Sequence, residues 1–361
     1  MRPSQVKQVI RASTENYRFS KDSAPPIFME GPPGVGKSAL AREVDDEIDA
    51  TMKKSFIIAN PKVAVPDRMF GWLDTRASQH DPTDFRGIPA IVDGLAKWLA
   101  PADIPFVGNS AIPEFGIWFL DEVTSAAPLV QAVLYQGLLD HAIGEHTLKP
   151  GWYIMAAGNR IEDRAVTYRM SSALANRFTH LTFEVNLDDW IDWAKKAMIN
   201  PNIIMFLKFK PGMLFTFNAE SSEKAFCSPR TWDFASRHIM RQPPKLLQEV
   251  LAGTLGKGAT AEFMSFLQLQ TELPDIDTIF KGSDFVPKRL DLTYALVGAL
   301  ANRAKGVKEF ERMIQYAKNL ELEFSVLLVT MLAQKDPGAM ALAPSFEKWA
   351  LSNADVIRKV K

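Results

Sequence analysis

The stretch Gly31-Pro32-Pro33-Gly34-Val35-Gly36-Lys37-Ser38 constrains this chain more than any other. It meets the pattern G-x-x-x-x-G-K-[ST] at every fixed position. Before it, Pro26-Ile27-Phe28-Met29-Glu30 is a short apolar run that reads as a buried strand, and after it Ala39-Leu40-Ala41-Arg42-Glu43-Val44 opens a helix. The physics requires that order. Successive backbone N–H groups of such a loop form a concave nest for phosphate oxygens, and the positive end of the following helix adds to the field. Glycines let the backbone approach without a Cβ in the way. The pattern places Pro33, Gly34, Val35, Gly36, Lys37, Ser38 and Ala39 against the phosphates of a nucleotide, with Lys37 on the β- and γ-phosphates and Ser38 on Mg²⁺.

A length of 361 residues allows two to three domains, or one large domain with a satellite. Apolar content of 47% and charged content of 23% are those of a globular chain that can bury a sizeable core. Lys+Arg and Asp+Glu are both 42, and a net charge of zero weighs against a strongly basic nucleic-acid binder. One cysteine, Cys227, excludes an internal disulfide and multi-cysteine zinc sites, fits a reducing compartment, and reads as a packing residue. The start, Met1 to Lys7, is polar and has no signal-peptide core. The longest apolar stretch, Phe324 to Ala333, is too short to span a bilayer and reads as a buried helix. A cytoplasmic protein with no membrane partner is expected.

Periodicity predicts a helix over 4–19, a helix from the loop to about Met52, and strands at Ser55–Ala59, Ile117–Leu120, Trp152–Ala157 and His180–Val185. With Ile27 to Glu30 these make a five-stranded parallel sheet, covered on both faces by the alternating helices. Residues 60–116 are rich in Pro and Gly, with a helix expected only around Ile91 to Leu99. Trp72, Phe85, Trp98 and Phe106 make this an ordered insertion facing a ligand or partner. A helix is expected over Pro128–Asp140, a hairpin around Gly144 and a short helix over Met170–Asn176. From Leu187 on, strand signals fade and helices follow, ending in an amphipathic one over Ser345–Val360 that buries Phe346, Trp349 and Ile357. The expected domains are 1–186, α/β, and 187–361, helical.

Asp121 and Glu122 close an apolar strand beyond the loop. Asp121 suits a metal ion, and Glu122 suits the general base that polarises an attacking water. Asn159 ends the next strand, where its amide suits that water or a γ-phosphate oxygen. Arg177 precedes the last strand and could project from the subunit surface. Arg230 opens a helix at Ser228-Pro229-Arg230, where a cation is unfavourable unless an anion answers it. Ser228 suits the cap and Pro229 the first turn. His141 and His146 straddle the hairpin and are not read as a metal pair.

The order GPPGVGKS, FLDE, AAGN, NRF, SPR resembles the AAA+ ATPases, and within them the MoxR-like branch, over roughly residues 1–241. The resemblance implies an AAA+ core with a five-stranded parallel sheet, an α-helical lid and further C-terminal helices. It implies Walker A roles for Lys37 and Ser38, Walker B roles for Asp121 and Glu122, and sensor 1 for Asn159. It implies an arginine finger acting on the neighbouring subunit for Arg177, and sensor 2 for Arg230. Arg160, Arg164 and Arg169 are further candidates for contacts in trans, with Arg169 second for the finger. Residues 60–116 lie where this branch carries its helix-2 insert. The implied activity is ATP hydrolysis with Mg²⁺ in a ring, a hexamer, that remodels a protein partner such as one with a von Willebrand factor A domain. The alternatives are a nucleic-acid motor (helicase or restriction-type translocase) and a nucleotide switch without turnover.

Overall fold

Three buried residues, Ile27, Phe28 and Met29, put the first strand inside the molecule. The strand β1 (Ile27–Glu30) pairs with a neighbour on each side, so it has no free edge. The computed structural model describes residues 1–17, 24–59, 64–163, 168, 170–221, 223–269 and 276–353. The chain divides into two compact units, Met1–Asn186 with Asn218–Glu220, and Leu187–Phe217 with the residues from Ser221 on.

The first unit contains helices α1 (Pro3–Tyr17), α2 (Lys37–Ala59), α3 (Pro82–Arg86), α4 (Pro128–Asp140) and α5 (Ser172–Ala175). Its further strands are β2 (Gly71–Arg76), β3 (Ile88–Val92), β4 (Leu95–Leu99), β5 (Phe115–Asp121), β6 (Ala142–Ile143), β7 (His146–Thr147), β8 (Gly151–Gly158) and β9 (Thr179–Thr182). Five of these form a parallel sheet in the order β2-β5-β8-β1-β9. Strand residues alternate between faces. Trp118, Trp152 and Ile154 pack in one core with Val130, Val133 and Leu134 of α4. On the other face Tyr153 meets Tyr17 of α1, with ring centroids 5.3 Å apart. There Trp72 stacks on Phe119 at 5.5 Å, with Arg42 of α2 5.2 Å from the Trp72 centroid.

Two expectations are corrected. Ser55–Ala59 is the end of α2, which runs past Met52, and the strand beside β5 is Gly71–Arg76. A formed helix extends at one hydrogen bond per residue fixed, whereas β-branched residues become strand only with a partner to pair with. Ile57 and Ile58 are 50% and 73% exposed, and β2 takes the place beside β5. The approach to β2 is tied to α2: Asp49 Oδ1 accepts from the Met69 and Phe70 amides at 2.8 and 2.9 Å, and Arg68 pairs with Asp45 and Asp46.

Residues 91–99 are not a helix. Ile88–Val92 and Leu95–Leu99 form an antiparallel hairpin through Asp93 (φ 53°) and Gly94 (φ 76°). Two positive φ values match the turn type whose twist suits paired strands. The part of the insertion outside the sheet is therefore 77–114, and Phe85, Ile104 and Phe106 anchor it in the core around α4. The hairpin at Gly144 forms as β6–β7.

The described helices of the second unit are α6 (Leu187–Lys196), α7 (Pro201–Phe209), α8 (Pro229–Arg241), α9 (Pro244–Leu255), α10 (Lys257–Leu269), α11 (Ile276–Phe280), α12 (Leu290–Arg303), α13 (Gly306–Tyr316), α14 (Leu322–Lys335), α15 (Pro337–Ala341) and α16 (Phe346–Ser352). Phe206 sits at their centre, with ring centroids 5.6, 5.3 and 5.6 Å from Trp232, Phe263 and Phe266. Trp349 is buried and Phe346 half-buried, while Ile357 and Val360 lie outside the described residues. Cys227 is buried, its thiol pushed up to about 11, as suits packing. No described helix is long and apolar enough to cross a membrane.

Candidate functional site

Parallel strands point their C-terminal ends the same way, and in open α/β sheets ligands bind beyond those ends. Here β1 leads into the glycine loop, β5 ends at Asp121 and β8 ends just before Asn159. In the sheet order β8 lies between β5 and β1, so three separate sequence features arrive side by side.

The loop turns through Gly34 (φ 77°) and Gly36 (φ 99°), conformations that L-residues rarely adopt. A Cβ at Gly36 would meet nothing within 4 Å, so the space over the loop is open to a ligand and only the backbone demands glycine. Val35 is buried, while Pro33 and Gly34 are half-buried and Ala39 is exposed. Lys37 is buried at the head of α2. Its Nζ donates to the carbonyls of Gly31 (2.7 Å) and Pro32 (3.0 Å) and to Asn159 Oδ1 (3.2 Å). Ser38 Oγ donates to Asp121 Oδ2 at 2.6 Å. Two hard oxygen donors side by side at a helix head suit Mg²⁺.

Glu122 follows in the left-handed region (φ 56°, ψ 30°), a strained place for a non-glycine residue. Its amide donates to Asp121 Oδ1 at 2.9 Å, and its Oε2 accepts from Ser78 Oγ at 2.6 Å. Asn159 is fixed from behind, since its carbonyl accepts from Thr124 Oγ1 at 3.3 Å. Gly158 makes this approach feasible: a Cβ there would lie 2.7 Å from Thr124 Oγ1 and 2.9 Å from Phe28 Cζ.

Asp74 of β2 bears on the same region. Burial and the nearby Asp121 charge push its carboxyl above the usual range. Arg177 is half-buried and donates from Nη2 to Tyr135 Oη at 3.1 Å. Arg160 is held by Asp163 in its own chain, at 3.1 Å for the closest pair, while Arg164 and Arg169 lie outside the described residues. Arg230 belongs to the second unit, exposed in the first turn of α8, where Ser228 caps and Pro229 starts the helix. His141 contacts Tyr17 Oη (3.4 Å) and Lys149 O (2.9 Å), and no metal-binding group of His, Cys, Asp and Glu is present among the described residues.

The structure thus joins Lys37, Ser38, Asp121 and Asn159 by hydrogen bonds, with Glu122 adjoining. Ser78, Thr124, Asp74 and Tyr135 went unread in the sequence. Ser78 and Asp74 were hidden by the misplaced second strand, while Thr124 and Tyr135 gain meaning only in space.

Residues 26–178 match a family model described as AAA domain (dynein-related subfamily). The α/β unit, which holds all of these residues, has the fold of an AAA+ core. Comparison with curated proteins gave no match. Solved structures similar to this chain include a point mutant of RuvB from Thermotoga maritima, at 17% identity and TM-score 0.41, covering 82% of each chain. Another is NtrX from Brucella abortus, at 14% identity and TM-score 0.39, covering 91% of this chain and 67% of that one. Both are distant likenesses.

Proposed function

We propose that the chain hydrolyses ATP as a MoxR-type AAA+ protein, assembled as a hexameric ring, and uses turnover to remodel a protein partner, one with a von Willebrand factor A domain. One observation carries the hydrolytic reading: the hydrogen-bonded set Lys37–Asn159 and Ser38–Asp121, at 3.2 and 2.6 Å, gathered at the ends of three strands beside Glu122. A cation, an acid for metal, a base and an amide at neighbouring strand ends support phosphoryl transfer to water.

Glu122 takes a proton from water as the water oxygen bonds the γ-phosphorus and the bond to the bridging oxygen breaks, ADP leaving with that electron pair. The Ser78 bond engages one of the two carboxylate oxygens of Glu122. Lys37 holds the β- and γ-phosphates, and Asn159 orients the water or a γ-phosphate oxygen. Mg²⁺, held by Ser38 and Asp121, supplies Lewis-acid neutralisation of phosphate charge when bound. Arg177 serves the site of the neighbouring subunit, and Arg230 acts as sensor 2 within its own subunit. The insertion over 77–114, with Ile88, Ile91 and Leu95 at 73%, 84% and 65% exposure, is the partner-facing surface.

Steady-state phosphate release tests the reading. Glu122→Gln should bind ATP with turnover reduced on the order of 10²-fold or more. Full turnover in that variant would overturn the role of Glu122. Purifying this variant with its bound partners from the native host tests the load. Recovery of no von Willebrand factor A protein, together with stimulation of turnover by single-stranded DNA, would favour the nucleic-acid motor.

A further inference from the structure

We infer that Tyr135 is the positioning residue for Arg177, setting the direction of the guanidinium that reaches the next subunit's ATP; the inference rests on the finger role proposed above. The backbone at Arg177 is already fixed. Its amide donates to Leu174 O at 3.1 Å, and the flanking Leu174 and Phe178 are buried, with Phe178 packed 5.5 Å from Phe28 of β1. The side chain is a separate matter, because a long arginine side chain keeps much rotamer freedom unless something holds it.

Tyr135 of α4 removes that freedom by two contacts. Its hydroxyl accepts from Nη2 at 3.1 Å, and the Arg177 Cζ lies 5.5 Å from its ring centroid. Tyr135 is itself packed on the core shared by α4 and the sheet. Arg177 Nε is buried and has no acceptor among the described residues. An unmatched buried donor is costly and needs an account. A phosphate oxygen from a neighbouring site would be taken by the terminal nitrogens of the guanidinium, not by the enclosed Nε. Tyr135 thus lowers the ordering cost at assembly, and it acts only through Arg177.

Mixed rings test this. Lys37→Ala subunits, which cannot turn over ATP themselves, are mixed in excess with unaltered subunits and act as finger donors. Donors that also carry Tyr135→Leu should lower kcat at the unaltered sites about tenfold with KM unchanged. Tyr135→Phe donors, which keep the ring, should lose less. A purely structural role for Tyr135 would not move kcat at another subunit's site. Should Tyr135→Leu fail to fold, Tyr135→Phe against unaltered donors decides. Donors carrying Arg177→Ala are the control. If these support full turnover, the finger role itself fails. If they abolish it while the Tyr135 donors leave kcat unchanged or raise it, the positioning role of Tyr135 is wrong and the finger role stands.

Discussion

Gly158 shows how one missing methyl group sets the position of Asn159. A Cβ there would lie 2.7 Å from Thr124 Oγ1, the group that holds the Asn159 carbonyl. Gly158→Ala is therefore expected to cost about 1–3 kcal/mol in denaturant unfolding and to slow phosphate release by displacing the amide. Asp45 makes a different prediction. Its carboxyl is buried on α2 with Oδ1 lacking a partner among the described residues, and burial pushes it up to about 7 against the pull of Arg68 and Arg42, from an ordinary 3.8. The folded chain then keeps a proton that the unfolded chain has released. The stability contributed is fully present below pH 3.8 and is lost as pH rises through about 7. Asp45→Asn should flatten that decline in unfolding free energy across the same range, and an unchanged slope would rule out Asp45 as its source.

At the scale of elements, four of the five parallel strands of the sheet were legible in hydrophobic runs, and the fifth was misplaced. Ser55–Ala59 looks like a strand because β propensity is local, whereas the choice between helix and strand there depends on β5 already having Gly71–Arg76 as its neighbour. The hairpin at Asp93-Gly94 was signalled by that dipeptide, which ranks among the strongest short hairpin marks. The helix expected around Ile91 to Leu99 would have had to run through that dipeptide, whose positive φ values turn the chain instead. The loop and the Asp121-Glu122 pair were legible because backbone chemistry demands those residue types at fixed spacing. Ser78 and Tyr135 follow no spacing, since their partners come from distant segments. The hairpin also carries a prediction. Ile88→Ser and Ile91→Ser alter residues that are 73% and 84% exposed, so the unfolding free energy should stay within about 0.5 kcal/mol and phosphate release should be unaffected. A large loss of stability would show that this surface is covered within the subunit.

For the whole molecule, stability and turnover should part company at Arg230. A cation in the first turn of α8 opposes the helix dipole. Arg230→Ala should raise the unfolding free energy by about 0.3–1 kcal/mol while lowering kcat, and a fall in both would mean that the residue is structural. The sheet sets a limit of another kind, on which changes the chain can accumulate. The Trp152 indole fills the space a side chain at position 71 would need, and an added Cβ at Gly71 would lie 2.4 Å from its Cζ2. At Gly116 the obstacle includes backbone, since a Cβ would lie 2.5 Å from the carbonyl of Gly71. The two glycines therefore differ in their epistasis. Gly71→Ala becomes tolerable once Trp152 is replaced by something smaller, so these positions drift as a linked pair. Gly116 has no such partner, and no single change elsewhere releases it.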